Sequence, residues 1–148
     1  MTSTMLCNLV MKYGPVAGRL LLALIFILSG LNKIGDWDGS LQHMTMKGIP
    51  YADILLGLSI LIELGGGLLL ALGLYARWAA LAILLFLIPV TFIFHNFWAY
   101  AGMEQAMQKI QFLKNLAIMG GMLYVISYGS GNYSIRDPGC ERRERERF

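Results

Sequence analysis

The sequence predicts an all-α, polytopic membrane protein: an antiparallel four-transmembrane-helix bundle with a short amphipathic interfacial helix between helices 1 and 2. Three observations support this. Apolar runs long enough to cross a bilayer recur along the 148 residues. Hydrophobic residues make up 57% of the chain and charged residues only 14%, against about 25% charged in a typical soluble domain. Glycine is abundant and proline scarce, 17 against 4, as close helix packing in lipid favours. A chain of this length has room for one domain. Its formal charge of +3 is small and comes from ends and loops, so it does not point to nucleic acid. Cys7 and Cys140 lie near opposite ends without C-x-x-C or Cys/His spacing, which supports neither a disulfide framework nor a zinc site.

The first span covers about residues 15–31. Pro15 suits a first helical turn, after a cytoplasmic N-terminus of residues 1–14. Arg19 interrupts the entry, leaving a clean apolar run over 20–31, and is expected to snorkel back to the interface. The rival reading is a cleaved signal peptide; no small-x-small cleavage site follows the run, so an uncleaved helix is preferred. The second span covers about 52–74. The third covers about 78–98, with Trp78 and Trp98 at its ends as in an aromatic belt. Pro89 inside it removes a backbone hydrogen bond and predicts a kink. The fourth covers about 112–128, with Lys114 and Asn115 in its first turn.

Two connections have structure of their own. Trp37, Leu41 and Met44 fall at i, i+4, i+7, preceded by Asp36 and Asp38 and ended by Gly48 and Pro50. This reads as a helix lying on the bilayer surface. Met103, Met107 and Ile110 repeat the pattern and read as an outward extension of the fourth helix. The turn at 75–77 is short enough to make spans two and three an antiparallel hairpin. The four spans close the membrane domain at about residue 133, and residues 134–148 form a mixed-charge, solvated tail.

Positive charges set the orientation. With the N-terminus inside, Lys12, Arg19, Arg77, Arg136, Arg142, Arg143, Arg145 and Arg147 fall on the cytoplasmic side, against Lys33, Lys47, Lys109 and Lys114 outside. The excess places both termini in the cytoplasm. Both cysteines then face a reducing compartment.

Glu63 lies at the centre of an uncharged stretch running from Ile54 to Ala76. An acid there costs several kcal/mol unless paired or neutralised, and intramembrane ionisable residues are functional candidates by default. The bland alternative is a structural acid that only holds helices together. Ser59, Gly66 and Gly73 repeat every seven residues on the face of Glu63, so this face is expected to contact other helices. Lys33, His95, Gln111, Lys114 and Asn115 gather toward the outer half. A Glu63–Lys114 or Glu63–Lys33 pair is within reach of a lysine stem and would keep the acid ionised. His95 follows Thr91 by four residues, beside the Pro89 kink; a lone histidine near a helix end is more often an interfacial hydrogen-bonding group than a ligand. His43 lies in the surface connection, which argues against a bis-histidine haem site. No Walker, Rossmann or HExxH pattern occurs.

A family resemblance rests on the order and spacing of Gly18-Arg19-Leu20-Leu21, Gly30-Leu-Asn-Lys33, Gly48-Ile-Pro50, Glu63-Leu-Gly-Gly66, Gly73-Leu-Tyr-Ala-Arg77, Phe94-His95-Asn-Phe97-Trp98, Phe112-Leu-Lys114-Asn115 and Gly120-Gly121. In these the chain resembles the DoxX family over about residues 18–133, with the arginine-rich tail outside the match. The resemblance implies a four-helix protein of the bacterial inner membrane. It also implies a link to quinone-dependent sulfur oxidation and terminal oxidase complexes. Most members have no assigned activity.

Two function classes follow. In the first, the chain is a redox-linked membrane subunit, accessory to an oxidoreductase complex and acting with a partner. It binds a quinone headgroup or docks a redox protein near Glu63, His95, Lys114, Asn115 and Lys33, has no intrinsic cofactor or metal, and takes electrons from the partner. In the second, it is a small proton-coupled transporter using Glu63. The bland reading is a non-catalytic scaffold or assembly subunit. Expected partners are the lipid bilayer, a redox protein or quinone, and a second copy of the chain, with no nucleic acid.

Overall fold

The structure, a computed structural model, describes residues 2–136. The charged segment of the tail and Cys140 lie outside the described residues. α1 is Thr2–Gly35 and α2 is Trp37–Met46. α3 is Ala52–Leu72, interrupted by a π-helical turn at Leu61–Gly65. α4 is Ala76–Phe94, a 3-10 turn follows at Phe97–Ala99, and α5 is Gly102–Tyr128. Four of these elements are long and apolar enough to cross a membrane, and the fold is the expected all-α antiparallel bundle. Beyond the helices, the described residues hold one isolated bridge, Leu74 to Arg136.

α1 does not begin at Pro15. It runs through it from Thr2, so its 34 residues are about 51 Å long, well over the roughly 30 Å of a hydrocarbon core. The proline costs one backbone hydrogen bond, but its ring serves as a packing surface. Gly131, at φ +71°, lies against it so closely that any Cβ would strike the ring.

α2 forms where the sequence places it. The Asp36 carboxylate accepts from the Gly39 N–H at 3.3 Å, capping the helix, and the chain leaves through Gly48 at φ +71°. Lys47 donates to the Tyr100 hydroxyl at 2.6 Å, and His43 stacks on Phe94 at 5.5 Å, so α2 is tied across the end of the bundle at Gly35 and Phe94.

α3 packs between α1 and α4 through small residues. A Cβ on Gly66 would lie 3.0 Å from Ile83 Cγ1 of α4, and one on Gly67 would lie 3.0 Å from Ile27 Cγ1 of α1. Ser59 and Gly66 are buried as the seven-residue repeat predicts. Gly73 is buried as well: it ends the helix in the left-handed region at φ +66°, and a Cβ there would meet Arg19 Nη1 of α1 at 2.8 Å. Leu68 instead faces outward, about half exposed. Gly66→Leu is therefore expected to lower the unfolding temperature in detergent far more than Leu68→Phe, at about 1–3 kcal/mol of overpacking. Equal midpoints for the two variants would refute the contact.

The half of the bundle toward Arg19 is filled by Ala23, Phe26, Leu70, Ala80, Ile83 and Met122. Its end is closed by a full accounting of the carbonyls that α3 leaves unpaired. Leu69 and Leu70 accept from Leu74 and Gly73; Leu72 and Gly73 accept from Ile135 and Arg136. The Ala71 carbonyl accepts from Arg19 Nε at 3.2 Å. Arg19 does not snorkel to the interface, as expected, but is 4% exposed. Its other nitrogens donate to the carbonyls of Ser130 (2.9 Å), Asn132 (3.4 Å) and Tyr133 (2.6 Å). Carbonyls available in the protein outcompete the interface for its donors. Tyr13 stacks on Tyr133 at 6.0 Å, so the two described ends of the chain share one face.

α4 stops at Phe94, short of the expected 98. The 3-10 turn brings Trp98 back onto Phe92 and Phe112, with centroids at 6.3 and 6.1 Å. His95 therefore caps the helix, at φ −120°, instead of lying inside it. α5 begins ten residues before its expected apolar start at 112, because Met103, Met107 and Ile110 do extend it outward. Lys114 and Asn115 thus lie near its fourth turn, not its first.

Candidate functional site

Glu63 occupies the middle of the π turn in α3 and is 5% exposed. A π turn widens the helix by one residue and is often found at functional positions. Nothing in Leu61-Ile-Glu-Leu-Gly65 announces it. Here it sits where α3 presses against Gly30 of α1: a Cβ on Gly30 would meet Leu64 Cγ at 2.6 Å. That close approach brings α1's polar side chains within reach of the acid.

Lys33 is the partner of Glu63. Its Nζ donates to Glu63 Oε2 at 2.7 Å and to Oε1 at 3.0 Å, and also to Ser29 Oγ at 2.8 Å. Ser29 Oγ in turn donates to Glu63 Oε1 at 3.2 Å. The three ammonium donors are thus used within a closed triad. The alternative pair with Lys114 does not form. Lys114 is exposed and donates to Gln111 Oε1 one turn back. Both lysines satisfied the rise along the helix axis; rotation about that axis separates them.

Two further polar links face this triad. Asn115 is buried and donates from Nδ2 to Thr91 Oγ1 at 3.0 Å, while Thr91 donates to the Leu87 carbonyl at 2.6 Å. His95 Nδ1 lies 2.9 Å from Gln108 Oε1, joining the end of α4 to α5. A cavity of about 590 Å³ lies between the links and the triad. All five residues singled out in the sequence, Lys33, Glu63, His95, Lys114 and Asn115, line it. Apolar side chains such as Phe26, Leu56, Phe86 and Ile93 form its walls, and Ser40, His43 and Met44 of α2 form its roof. The sequence reading missed Ser29, Gln108 and the roof role of His43. Ser29 lies one helical turn before Lys33 on the same face, a signal available in the sequence. Gln108 lies on the outward extension read from Met103, Met107 and Ile110, but nothing local marks it as the partner of His95, which is on another helix.

The fold and this cluster define a class: a multi-pass α-helical membrane protein with a paired acid and base inside its bundle. The chain belongs to the DoxX family, whose family model matches residues 14–96. It is similar to the inner membrane protein YqjF of Escherichia coli, with 36% identity over 122 residues, 82% of this chain and 88% of that protein. It is also similar to the E. coli inner membrane protein YphA, with 28% identity over 117 residues, 79% and 84% of the two chains. A more distant likeness is to the ER-derived vesicles protein ERV29 of Saccharomyces cerevisiae, at 25% identity over 83% of this chain and 33% of that one. No solved structure matches. The family match includes Lys33, Glu63 and His95 and ends before Gln108, Lys114 and Asn115. The protein is thus an integral inner-membrane protein in contact with the lipid bilayer.

Proposed function

We propose that this protein is a redox-linked membrane subunit that binds a quinone headgroup in the cavity between its helices and acts with a redox partner. The observation that carries the reading is the convergence of polar side chains from α1, α3, the end of α4 and α5 on one cavity with apolar walls. Packing alone needs few such groups, and each must find a partner in lipid. The volume falls within the roughly 300–1,000 Å³ of small-molecule sites, and an apolar pocket with a few placed polar groups is their usual form.

A quinone has the matching form: an apolar ring and tail with two carbonyl oxygens that accept hydrogen bonds. Asn115 keeps one Nδ2 hydrogen beyond its bond to Thr91 and faces the cavity, and His95 can donate or accept according to tautomer. When bound, a quinone supplies two-electron, two-proton chemistry. The chain's own part is to orient the ring, exclude water and hold protons at Glu63 and His95, while electrons come from the partner. Proton-coupled transport by Glu63 is less well supported, because buried Ala23, Leu70 and Met122 fill the bundle between Glu63 and Arg19 and leave no second exit.

Glu63→Gln and His95→Ala should both leave a folded bundle, since Gln keeps the shape of Glu and His95 sits at a helix end. Each is expected to weaken binding of a short-chain quinone analogue by about tenfold, the worth of one hydrogen bond to a charged or polar group. Wild-type affinity in both variants would leave the cluster as scaffolding.

The four arginines at 142–147, which tip an otherwise even count of Lys and Arg, support cytoplasmic termini. Reporter fusions after Phe148 and within residues 39–48 should report opposite sides, the first cytoplasmic. A periplasmic signal from the tail fusion would overturn this orientation.

A further inference from the structure

We infer that the Lys33–Glu63 pair is the inner end of a water path from the α2 face of the membrane, and that the cavity exchanges protons with that face alone. This rests on the site proposed above, and adds where its protons come from.

Two hollows meet at the elbow between α1 and α2. One is the interior cavity; the other is an open crevice bordered by Asn32, Gly35 and Asp36. Both are lined by Ser29, Lys33 and Ser40, so a single layer of side chains divides them. Exposure falls across that layer: the Lys33 side chain is 27% exposed and that of Glu63 is 7%. Polar groups line the way from mouth to acid. Asp36 and Asn32 stand at the opening, Ser40 and Ser29 at the partition, and the Ser29 hydroxyl bonds to both Lys33 and Glu63. A hydroxyl both donates and accepts, so it can pass a proton between water and a carboxylate. The ammonium of Lys33 disfavours metal cations on the same path, and the carboxylates of Asp36 and Glu63 at its two ends disfavour anions. The roof is a single amphipathic helix with no buried residue, so water reaches its residues.

The opposite direction is closed. Ala23 and Leu70 are fully buried and Met122 fills the space between them and α5. Gly67 is pressed on Ile27 and Gly121 on Leu22. Beyond them stands Arg19 with its four carbonyls. A guanidinium does not give up its proton in a protein and makes a poor relay.

The test uses the full chain in sealed, oriented vesicles, with Cys7 and Cys140 replaced by serine. A charged, membrane-impermeant methanethiosulfonate is applied from either side to Asn32→Cys, Ser29→Cys and Ala23→Cys, and modification is read as loss of a later maleimide gel shift. Asn32→Cys and Ser29→Cys should be modified from the α2 side only, and Ala23→Cys from neither. Because Ser29→Cys touches the pair itself, the unmutated chain gives a second reading. A water-soluble carbodiimide applied from the α2 side should activate the Glu63 carboxyl, which the Lys33 amine 2.7 Å away captures as an amide with release of the urea, read as a Lys33–Glu63 cross-link with loss of one water. Reaction of Asn32→Cys without Ser29→Cys, with Glu63 reached only by a lipid-soluble carbodiimide, would overturn the path. Equal modification of Ser29→Cys from both sides would overturn its one-sidedness. Neither readout involves a quinone, so failure of quinone binding and failure of the path are separate results.

Discussion

Arg19→Leu should unfold the end of the bundle where α3 meets the segment after α5. The guanidinium satisfies the carbonyls of Ala71, Ser130, Asn132 and Tyr133, and leucine satisfies none. Removing a buried charged donor that serves several partners costs about 3–5 kcal/mol, a large part of the roughly 5–15 kcal/mol that holds a typical domain together. The loss falls on one seam, where α1 and the segment after α5 meet the end of α3. Arg19→Lys should recover only part, because a lysine has three donors on one atom and cannot span carbonyls in a fork. Thermal unfolding in detergent, followed by helical ellipticity, gives the order wild type, Lys, Leu. A Leu variant that melts with wild type would show that water or lipid headgroups replace the guanidinium.

The second large effect concerns the pair at the cavity. Lys33→Met leaves the Glu63 carboxylate in the bundle without its counter-charge, at about 3–5 kcal/mol. Glu63→Leu should cost less, because the Lys33 side chain is 27% exposed and can turn toward the open crevice. The double variant Lys33→Met/Glu63→Leu should regain most of what Lys33→Met loses, since apolar replacement of a whole buried pair is often neutral or stabilising. Its unfolding temperature decides the matter. If it melts as low as Lys33→Met, the pair contributes net stability and needs no functional reason to exist. If it melts near wild type while quinone-analogue binding is lost, the charges are kept for the site.

The spans were legible because lipid leaves the backbone no alternative to helix, so long apolar runs have one outcome. α2 was legible from Asp36, its apolar spacing and Gly48, all local signals. The destination of Arg19 was not, because its acceptors lie 52 to 114 residues away along the chain. Neither was the choice between Lys33 and Lys114. Hydropathy gives depth, but Lys114 and Asn115 are adjacent, point about 100° apart, and only one of them is buried. The stop of α4 at Phe94 depends on Trp98 folding back onto Phe112 of the next helix, a contact no local pattern encodes.

The π turn gives α3 a weakness against changes of chain length. Its extra residue sets the rotational phase between the half bearing Ala52, Leu56 and Ser59 and the half bearing Gly66, Gly67 and Leu70. Losing one residue from Leu61–Gly65 would let the segment relax to regular α-helix and turn one half by about 100° against the other. Either the glycines would leave α1 and α4, or Ser59 and Leu56 would swing out toward the acyl chains. A single-codon deletion there acts on every contact of the helix at once, whereas a conservative substitution at the same positions alters one side chain.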